Sequence, residues 1–441
     1  MYISAALSSY NAATLFNWTS PSIPILISDP NYDIDLESSS YFTVIPPIAC
    51  IVASPVYGLC VEKYGRKYTL LSSGVLHLGA WILIAFARSV YVFYLSRILF
   101  GIADGAIFSV LPIYVGEVST PKVRGTWGNA MTYFIYLGQF SINCVGFFFN
   151  LKTTAYLFSV TPIVFFFTFS LMPETPYYLA MKGKVDEAKE SLKKLRRVED
   201  VDEEFNRILK DLERQLSEKS TYRDLFTIKI NRKAMALTTM VRGFQQVSGI
   251  SAFSTYCQYI FRESGQDIDK GVSAMLFTGS LFLCNLLGST FADKLGRKLS
   301  TCLSCIGCSL VLAMEAVYFY INEHTNLDLS AISWFPTLGM ILFVVSFALG
   351  LGIIPMLLLS EMFSSSVRGK AASVMTILFM VYVIFFTKLF QLLVYNYGLY
   401  LPFTIFSLCT FVSTFLSYSL IPETKGKTLE EIQIMLKSNK L

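Results

Sequence analysis

This 441-residue chain has few charged residues, and this is its most informative absence. Asp, Glu, Lys and Arg make up only 15% of the sequence, while hydrophobic residues make up 54%. An average soluble protein carries about 25% charged residues. One water-facing globule has too little polar surface to cover so many apolar side chains, so the composition excludes a soluble domain and indicates a chain that lies in lipid.

The sequence also lacks the residue patterns of enzymes. It holds two histidines, His77 and His324, in separate segments, and no Ser/His/Asp arrangement, phosphate loop or ATP-binding motif. Cys302, Cys305 and Cys308 share one helix face, but no histidine or acid joins them. Packing of small apolar side chains explains these cysteines better than a metal site. We therefore expect no catalytic residues, no metal and no cofactor.

Long apolar stretches take up most of the chain. Twelve can be laid out, each with about the 20 residues that a bilayer core requires, whereas barrel strands would be half as long. Their approximate bounds are 3–27, 41–61, 68–88, 92–116, 126–150, 153–172, 234–261, 271–292, 299–321, 332–358, 371–395 and 399–421. Because backbone groups in lipid must bond within their own segment, we predict twelve transmembrane helices in an all-α membrane protein.

Basic residues concentrate in the loops on one side of the predicted membrane. The loops after stretches 2, 4, 8 and 10 are rich in Lys and Arg, whereas the first loop on the other side holds Asp29, Asp33, Asp35 and Glu37. Cytoplasmic loops carry the basic excess, so we expect both termini in the cytoplasm, with the plasma membrane as the location. These short loops do not form the contiguous basic face that nucleic acid requires. The expected partners are the lipid bilayer and a small molecule, and we expect a functional monomer.

One long polar segment, at 177–232, interrupts the apolar stretches. Within it, Val185, Ala188, Leu192 and Leu195 recur at helical spacing, which predicts short amphipathic helices. A docking site for a soluble partner is one interpretation of this segment. A cytoplasmic helical linker that lies under two membrane lobes explains the pattern better.

A charged signature occurs twice in the same order. The two copies consist of Gly65-Arg66-Lys67, Glu117, Arg124-Gly125 and Pro173-Glu174-Thr175, and of Gly296-Arg297-Lys298, Glu361, Arg368-Gly369 and Pro422-Glu423-Thr424. Such repetition among apolar segments is typical of transporters built from internal repeats. We predict an N-terminal six-helix half at 1–176, the linker at 177–232, a C-terminal six-helix half at 233–424 and a short cytoplasmic tail at 425–441.

With these motifs, the chain resembles the sugar porter family of the major facilitator superfamily, which includes facilitative glucose transporters and insect trehalose transporters. The resemblance covers essentially the whole chain. Its carriers include residues 62–67 (Glu-Lys-Tyr-Gly-Arg-Lys), 112–117 (Pro-Ile-Tyr-Val-Gly-Glu), 245–249 (Gln-Gln-Val-Ser-Gly), 293–298 (Asp-Lys-Leu-Gly-Arg-Lys) and both Pro-Glu-Thr triplets. It implies two pseudo-symmetric halves and secondary transport of a hexose, or of a disaccharide such as trehalose, by alternating access and facilitated diffusion.

The resemblance implies a gating network of charges at the cytoplasmic helix ends. Its members would be Glu62, Arg66, Glu117 and Arg124 in the first half and Asp293, Arg297, Glu361 and Arg368 in the second. Partly solvated pairs of this kind close a gate and still break readily. Gly65 and Gly296 would permit the tight turn that places each arginine. The competing interpretation, simple anchoring of helices in the headgroups, fits the doubled spacing less well.

Sugar contacts implied by the resemblance are Gln245, Gln246 and Asn143. Amides donate and accept hydrogen bonds, which suits a ring of hydroxyls. Helix-to-helix hydrogen bonding is the alternative role for all three. We expect Pro355 to break stretch 10 and supply a flexible gate near the site.

The same pocket departs from the family pattern at several positions. Ser251 replaces an asparagine, only Tyr256 remains of a tyrosine pair, and Met356 occupies a position where many members have tryptophan. Phe379 and Met380 stand where close glucose facilitators have Asn and Trp. These changes make the second half of the pocket less polar, so the resemblance does not fix which sugar is carried.

Acids within the apolar stretches bear on coupling to protons. Proton-coupled members of the resembled family usually carry an acid in the first helix, and the first stretch here contains none, so the resemblance implies facilitated diffusion. Asp104 lies in stretch 4, seven residues after Arg97 on the same helix face, and together they form a candidate proton site. A structural carboxylate, paired with Arg97 or facing an aqueous cavity, is the alternative that we favour. Proton-coupled sugar symport and a transport-inactive sugar sensor remain the alternative functions.

Overall fold

The computed structural model describes the backbone of residues 2–32, 34–217, 221–264, 268–427 and 429–438. Within these ranges, the side chains of residues 2, 36, 121–130, 211, 214–217, 287–293, 365–366, 429–430, 433 and 438 are not described. All regular secondary structure in the described part of the chain is helical. The all-α prediction is therefore confirmed.

Each predicted apolar stretch coincides with one helix or with a run of helices separated by short breaks. Along the first half these are α1 (Tyr2–Asn17), α2 (Thr19–Ser28), α3 (Leu36–Tyr64), α4 (Arg66–Phe86), α5 (Val90–Val118), α6 (Pro121–Phe148) and α7 (Leu151–Ser170). The polar segment holds α8 (Pro176–Met181), α9 (Val185–Arg196), α10 (Asp202–Ser217) and α11 (Asp224–Thr227). The remainder comprises α12 (Lys229–Val247), α13 (Ile250–Thr255), α14 (Cys257–Glu263), α15 (Lys270–Leu295), α16 (Arg297–His324), α17 (Phe335–Ala348), α18 (Ile354–Met362), α19 (Ser365–Tyr397), α20 (Tyr400–Leu420) and α21 (Leu429–Ser438), with a 3₁₀ turn at Ser330–Ile332.

Eight helices among the described residues are long and apolar enough to cross a membrane. They correspond to α3, α4, α5, α7, α16, α17, α19 and α20. The other four predicted stretches are α1 with α2, α6, α12 to α14, and α15. The first and third of these are interrupted by breaks, and α6 and α15 include residues whose side chains lie outside the described set.

The breaks occur where the sequence interrupts helical hydrogen bonding. Gly249, with φ +88°, separates α12 from α13. Residues 349–353 separate α17 from α18, and Pro355 lies in the first turn of α18, where a missing N–H is tolerated. The predicted interruption of stretch 10 at Pro355 is thus confirmed.

The chain forms two compact units. One comprises Met1–Leu15, Ile45–Gly138 and Asn150–Ser220, and its core includes Tyr114, Phe165 and Phe169. It also contains α8 to α10, whose apolar faces bury Ala188, Leu192 and Phe205 together. The other comprises Phe16–Val44, Gln139–Phe149 and Thr221–Leu441. Its core includes Val241, Leu358 and Met375, and its aromatic cluster centres on Phe253, which stacks on Phe403 at 5.0 Å between ring centroids. The predicted boundaries of the two halves stay a prediction.

Candidate gating and substrate sites

The turn between α3 and α4 is built around Gly65. Its φ of +91° and ψ of 176° belong to a region that only glycine adopts readily. A Cβ atom here would overlap the Glu174 carboxylate. That carboxylate accepts hydrogen bonds from the backbone N–H groups of Arg66 at 3.2 Å and Lys67 at 3.0 Å. Glu174 therefore caps the N-terminus of α4, where a negative charge is favourable.

The Arg66 side chain forms an ion pair beside this turn. Its Nη2 lies 2.8 Å from Oε1 of Glu117, near the end of α5, and both side chains are mostly buried. The Thr175 hydroxyl donates to the other oxygen of Glu117 at 2.5 Å. We call Gly65, Arg66, Glu117, Glu174 and Thr175 the Gly65 cluster; it ties together the starts of α4 and α8 and the end of α5.

The turn between α15 and α16 repeats the main contacts of this arrangement, with an additional hydrogen bond from Nε of Arg297 to Glu361 at 3.2 Å. Gly296 has φ +86°, and Glu423 accepts from the N–H groups of Arg297 at 3.0 Å and Lys298 at 3.2 Å. Nη2 of Arg297 lies 2.8 Å from Oε1 of Glu361, and Thr424 donates to the other oxygen at 2.6 Å. These five residues (Gly296, Arg297, Glu361, Glu423, Thr424) form the Gly296 cluster. The tight turns predicted at both glycines are confirmed.

The two capping glutamates differ in their surroundings. Burial raises the pKa of Glu174, although the N–H groups of Thr175, Lys67 and Arg66 oppose that effect. For Glu423, burial also favours the protonated form, but hydrogen bonds from the N–H groups of Arg297, Lys425 and Lys298 outweigh it and lower the pKa. The same number of backbone hydrogen bonds thus gives opposite directions because Glu174 is more deeply buried than Glu423.

The structure joins part of the charge network predicted from the sequence. It brings Arg66 to Glu117 and Arg297 to Glu361. Glu62 lies exposed on α3. Arg368 donates to the backbone carbonyl of Phe363 at 3.1 Å. The side chains of Arg124 and Asp293 lie outside the described residues.

The sequence reasoning assigned no role to the two capping glutamates or to the threonines that follow them. Their Pro-Glu-Thr triplets were recognised as part of the repeat, and that repetition was the available signal. What each carboxylate binds depends on a contact more than a hundred residues away in the chain, which spacing does not reveal.

The two predicted sugar-binding amides lie next to each other at the end of α12. Both Gln245 and Gln246 are buried. Nε2 of Gln245 donates to the backbone carbonyl of Leu351 at 2.7 Å, in the break between α17 and α18. Oε1 of Gln246 accepts from the Ser251 hydroxyl at 2.6 Å. The structure therefore brings Gln245, Gln246 and Ser251 together around the α12–α13 break.

Asn143, on α6, is hydrogen-bonded to α2. Its Oδ1 accepts from Ser20 at 2.8 Å, and its Nδ2 donates to the carbonyl of Gln139 at 2.9 Å. The neighbouring Thr19 donates to the carbonyl of Thr255 at 3.4 Å, so α2 connects Asn143 to α13.

Two further predicted contacts differ in exposure. Tyr256, between α13 and α14, is buried with its ring stacked on Phe390 at 5.6 Å between centroids. Met356 lies on the first turn of α18 with 54% of its surface exposed. Met356 is therefore exposed, whereas Gln245, Gln246 and Ser251 are buried.

The candidate proton site lies in the other compact unit. Nη1 of Arg97 donates to the carbonyl of Leu15 at 2.7 Å, and its guanidinium lies 5.4 Å from the centroid of the Phe100 ring. Asp104 is buried, and its Oδ1 lies 4.0 Å from Nε2 of His77 on α4. The sequence reasoning did not connect His77 to Asp104, since their spacing carries no such signal.

Two cations within the apolar helices were also missed. Arg242 on α12 donates to Oε1 of Gln245 at 2.7 Å. Lys388 on α19 donates to the hydroxyl of Ser40 at 2.7 Å and lies 5.1 Å from the centroid of the Tyr41 ring. The signal that could have found both is general, because charged side chains in membrane helices are costly and usually functional.

Solved structures match this fold over nearly the whole chain. A partially occluded, inward-open structure of the xylose transporter XylE from E. coli superposes with a TM-score of 0.80 at 19% identity, covering 97% of this chain and 98% of that one. A structure of the proton:xylose symporter XylE bound to 6-bromo-6-deoxy-D-glucose gives a TM-score of 0.76 at 21% identity, with 99% of both chains covered. The fold is therefore that of the major facilitator superfamily, as predicted.

Curated relatives match at higher identity. The facilitated trehalose transporter Tret1 of Apis mellifera ligustica is 31% identical over 98% of this chain and 88% of its own length. Tret1 of Culex quinquefasciatus is 32% identical over 94% of this chain and 81% of its own. Tret1-1 of Drosophila simulans is 32% identical over 98% of this chain, which spans 51% of that relative's length.

A family model described as "Sugar (and other) transporter" matches residues 8–436. The match confirms the resemblance inferred from the repeated motifs, and with the relatives it confirms that the chain is a transporter and not an enzyme. By this match over almost its entire length, the chain belongs to the sugar transporter family.

Proposed function

We propose that this chain carries a sugar across a membrane by alternating access, as a facilitator that needs no coupled ion. The observation that carries the proposal is the repetition of one Arg–Glu–Thr arrangement in the Gly65 and Gly296 clusters. A carrier must close and reopen at little net cost. The two Arg–Glu pairs lie at helix ends, where a gate can break and re-form them.

The buried polar group around the α12–α13 break is the proposed sugar site. Gln245 and Gln246 supply amide donors and acceptors, and Ser251 adds a hydroxyl. Asn143 supplies a third amide, and Tyr256 an aromatic surface for the apolar face of a sugar ring. Met356, exposed on α18, would contact the substrate from the side of the helix break.

The proposed substrate is a hexose or a disaccharide such as trehalose. The relatives at 31% and 32% identity are named facilitated trehalose transporters, which supports both the substrate class and the uncoupled mechanism. A less polar second half of the pocket, with Phe379 and Met380 in place of polar or larger residues of glucose facilitators, supports a substrate other than glucose alone.

Proton-coupled sugar symport is the second candidate. The observation in its favour is Asp104, a buried acid near His77 and on the same helix as Arg97. A carboxylate and an imidazole together offer a place for one proton. A transport-inactive sugar sensor is the remaining alternative. The intact ion pairs of both clusters support a chain that still moves.

We further propose a plasma-membrane location, cytoplasmic termini and a functional monomer that binds no nucleic acid. The basic residues of the Gly65 and Gly296 turns support this orientation.

The proposed halves are 1–176 and 233–424, joined by the linker at 177–232 and followed by the tail at 425–441. Glu62, Arg124, Asp293 and Arg368 complete the proposed gating network.

Uptake of labelled trehalose, glucose and fructose into cells that lack hexose carriers tests these proposals. Saturable uptake that is unchanged by a proton uncoupler is the expected result. Uptake abolished by the uncoupler would establish the symport alternative and make Asp104→Asn the next variant to measure. Surface-expressed protein without any sugar uptake would contradict the transport proposal.

A further inference from the structure

Arg242 occupies an unusual place for a cation. It lies half-buried on α12, nine residues after Lys233, or roughly 14 Å along the helix at 1.5 Å per residue. It precedes Gln245 by three residues and so lies on the same helix face. An arginine this far along a membrane helix is costly and marks a functional region.

The guanidinium of Arg242 is held between an aromatic ring and an amide. Its central carbon lies 4.0 Å from the centroid of the Phe379 ring on α19. Its Nη1 donates to Oε1 of Gln245 at 2.7 Å. Stacking on the ring fixes the plane of the guanidinium, and a planar fork directs its donors more narrowly than an ammonium would.

This contact decides which way the Gln245 amide faces. A guanidinium can only donate, so the amide oxygen must point toward Arg242 and the amide nitrogen away from it. The nitrogen then donates to the carbonyl of Leu351. One N–H and one lone pair of the Gln245 amide remain for a ligand.

The Leu351 carbonyl is available because of Pro355. In a continuous helix that carbonyl would accept from the N–H of the residue four positions later, which is Pro355 and has no N–H. The chain of contacts therefore runs from Phe379 through Arg242 and Gln245 to the break before α18.

We propose that Arg242 is a positioning residue that sets the orientation of the Gln245 amide for a sugar hydroxyl and thereby sets substrate affinity. This inference rests on the proposed function, in which Gln245 binds the sugar. Phe379, which stands where close glucose facilitators have asparagine, contributes by stacking on the guanidinium. A purely structural arginine would affect the amount of folded protein and would not act through Gln245.

The test is a double-mutant cycle on sugar uptake, corrected for surface protein. Arg242→Leu should raise KM about tenfold, the loss expected for one charge-assisted hydrogen bond, with Vmax within about twofold of wild type. Arg242→Lys and Phe379→Leu should give smaller increases in KM. In a Gln245→Ala background, Arg242→Leu should add no further change, because the residue through which it acts is gone.

Arg232→Leu is the matched control, since it removes an exposed arginine from the same helix. It should leave KM unchanged. An unchanged KM in Arg242→Leu, or effects of Arg242→Leu and Gln245→Ala that simply add, would overturn the inference while leaving the proposed transport intact. If Arg242→Leu fails to reach the surface, Arg242→Lys and Phe379→Leu carry the same test. Wild-type protein without uptake would overturn both proposals together.

Discussion

The carboxylate of Glu174 accepts hydrogen bonds from the two backbone N–H groups that begin α4, and that of Glu423 from the two that begin α16. Each carboxylate comes so close to a glycine that a Cβ atom would overlap it. A glycine is therefore required at each turn for two reasons, its positive φ and the space that it leaves for the carboxylate. At the scale of single residues, these contacts place Arg66 and Arg297 where each can reach its glutamate.

Gly296→Ala should destabilise the folded protein by about 1 to 3 kcal/mol, because alanine adopts this backbone region only under strain. We expect a lower thermal-unfolding temperature for the detergent-purified protein. Gly369→Ala is the matched control, since a Cβ atom there meets open space. Equal unfolding temperatures for Gly296→Ala and wild type would contradict this account of the turn.

The two capping glutamates should respond oppositely to acid. The lowered pKa of Glu423 gives stability that is present above its ordinary pKa and is lost as pH falls through its folded value. The raised pKa of Glu174 gives a relative gain in stability as pH falls through its own folded value. Compared with wild type, Glu423→Gln should lose less stability on acidification and Glu174→Gln should lose more.

Thermal unfolding of the three proteins between pH 7 and about pH 3.5 measures this difference. Because the two substitutions are identical and their positions equivalent, each variant is the control for the other. Parallel pH profiles for Glu174→Gln and Glu423→Gln would show that burial and hydrogen bonding do not separate the two carboxylates.

At the scale of the helices, the candidate sugar site lies at the breaks between helices. The break between α12 and α13 presents Gln245, Gln246 and Ser251, and the break before α18 presents the Leu351 carbonyl. Residues at such breaks have backbone groups that no helix satisfies, so side chains or ligands can bind them. Pro355 produces one of these free carbonyls by lacking an N–H.

Pro355→Ala should weaken sugar binding. The new N–H would compete with Gln245 for the Leu351 carbonyl and extend α18 toward the break. We expect a KM increase of about threefold to tenfold in uptake assays, the cost of a weakened hydrogen bond. Pro336→Ala, at the first turn of α17, is the control and should leave KM unchanged. A KM equal to wild type in Pro355→Ala would contradict the role given to this carbonyl.

The helices themselves were predictable because hydropathy and length reveal a membrane span directly. The interruption at Pro355 was predictable for the same local reason, the missing N–H. The contact of Arg242 with Phe379 and the capping role of Glu423 were not, since each joins positions distant in the sequence. Gln245 and Gln246 were found through resemblance, whereas the resemblance pointed to no role for Arg242 and marked Phe379 only as a departure from close glucose facilitators.

At the scale of the whole molecule, the defining property is duplication. Each compact unit contains one cluster, Gly65 in the first and Gly296 in the second, and each cluster has an Arg–Glu pair, a threonine bound to the same glutamate and a glycine of positive φ. An ion pair that a gate must break cannot be strong, and two similar pairs are broken at similar cost. This balance is what a carrier needs to exchange between two states of comparable free energy.

Counterflow in proteoliposomes tests the central claim most directly. Purified protein is placed in liposomes loaded with unlabelled trehalose or glucose, and a trace of the same labelled sugar is added outside. An alternating-access facilitator should accumulate the label transiently above its external concentration and then release it, without any proton gradient. Label that never exceeds the level in protein-free liposomes, for any of the sugars tried, would contradict the account.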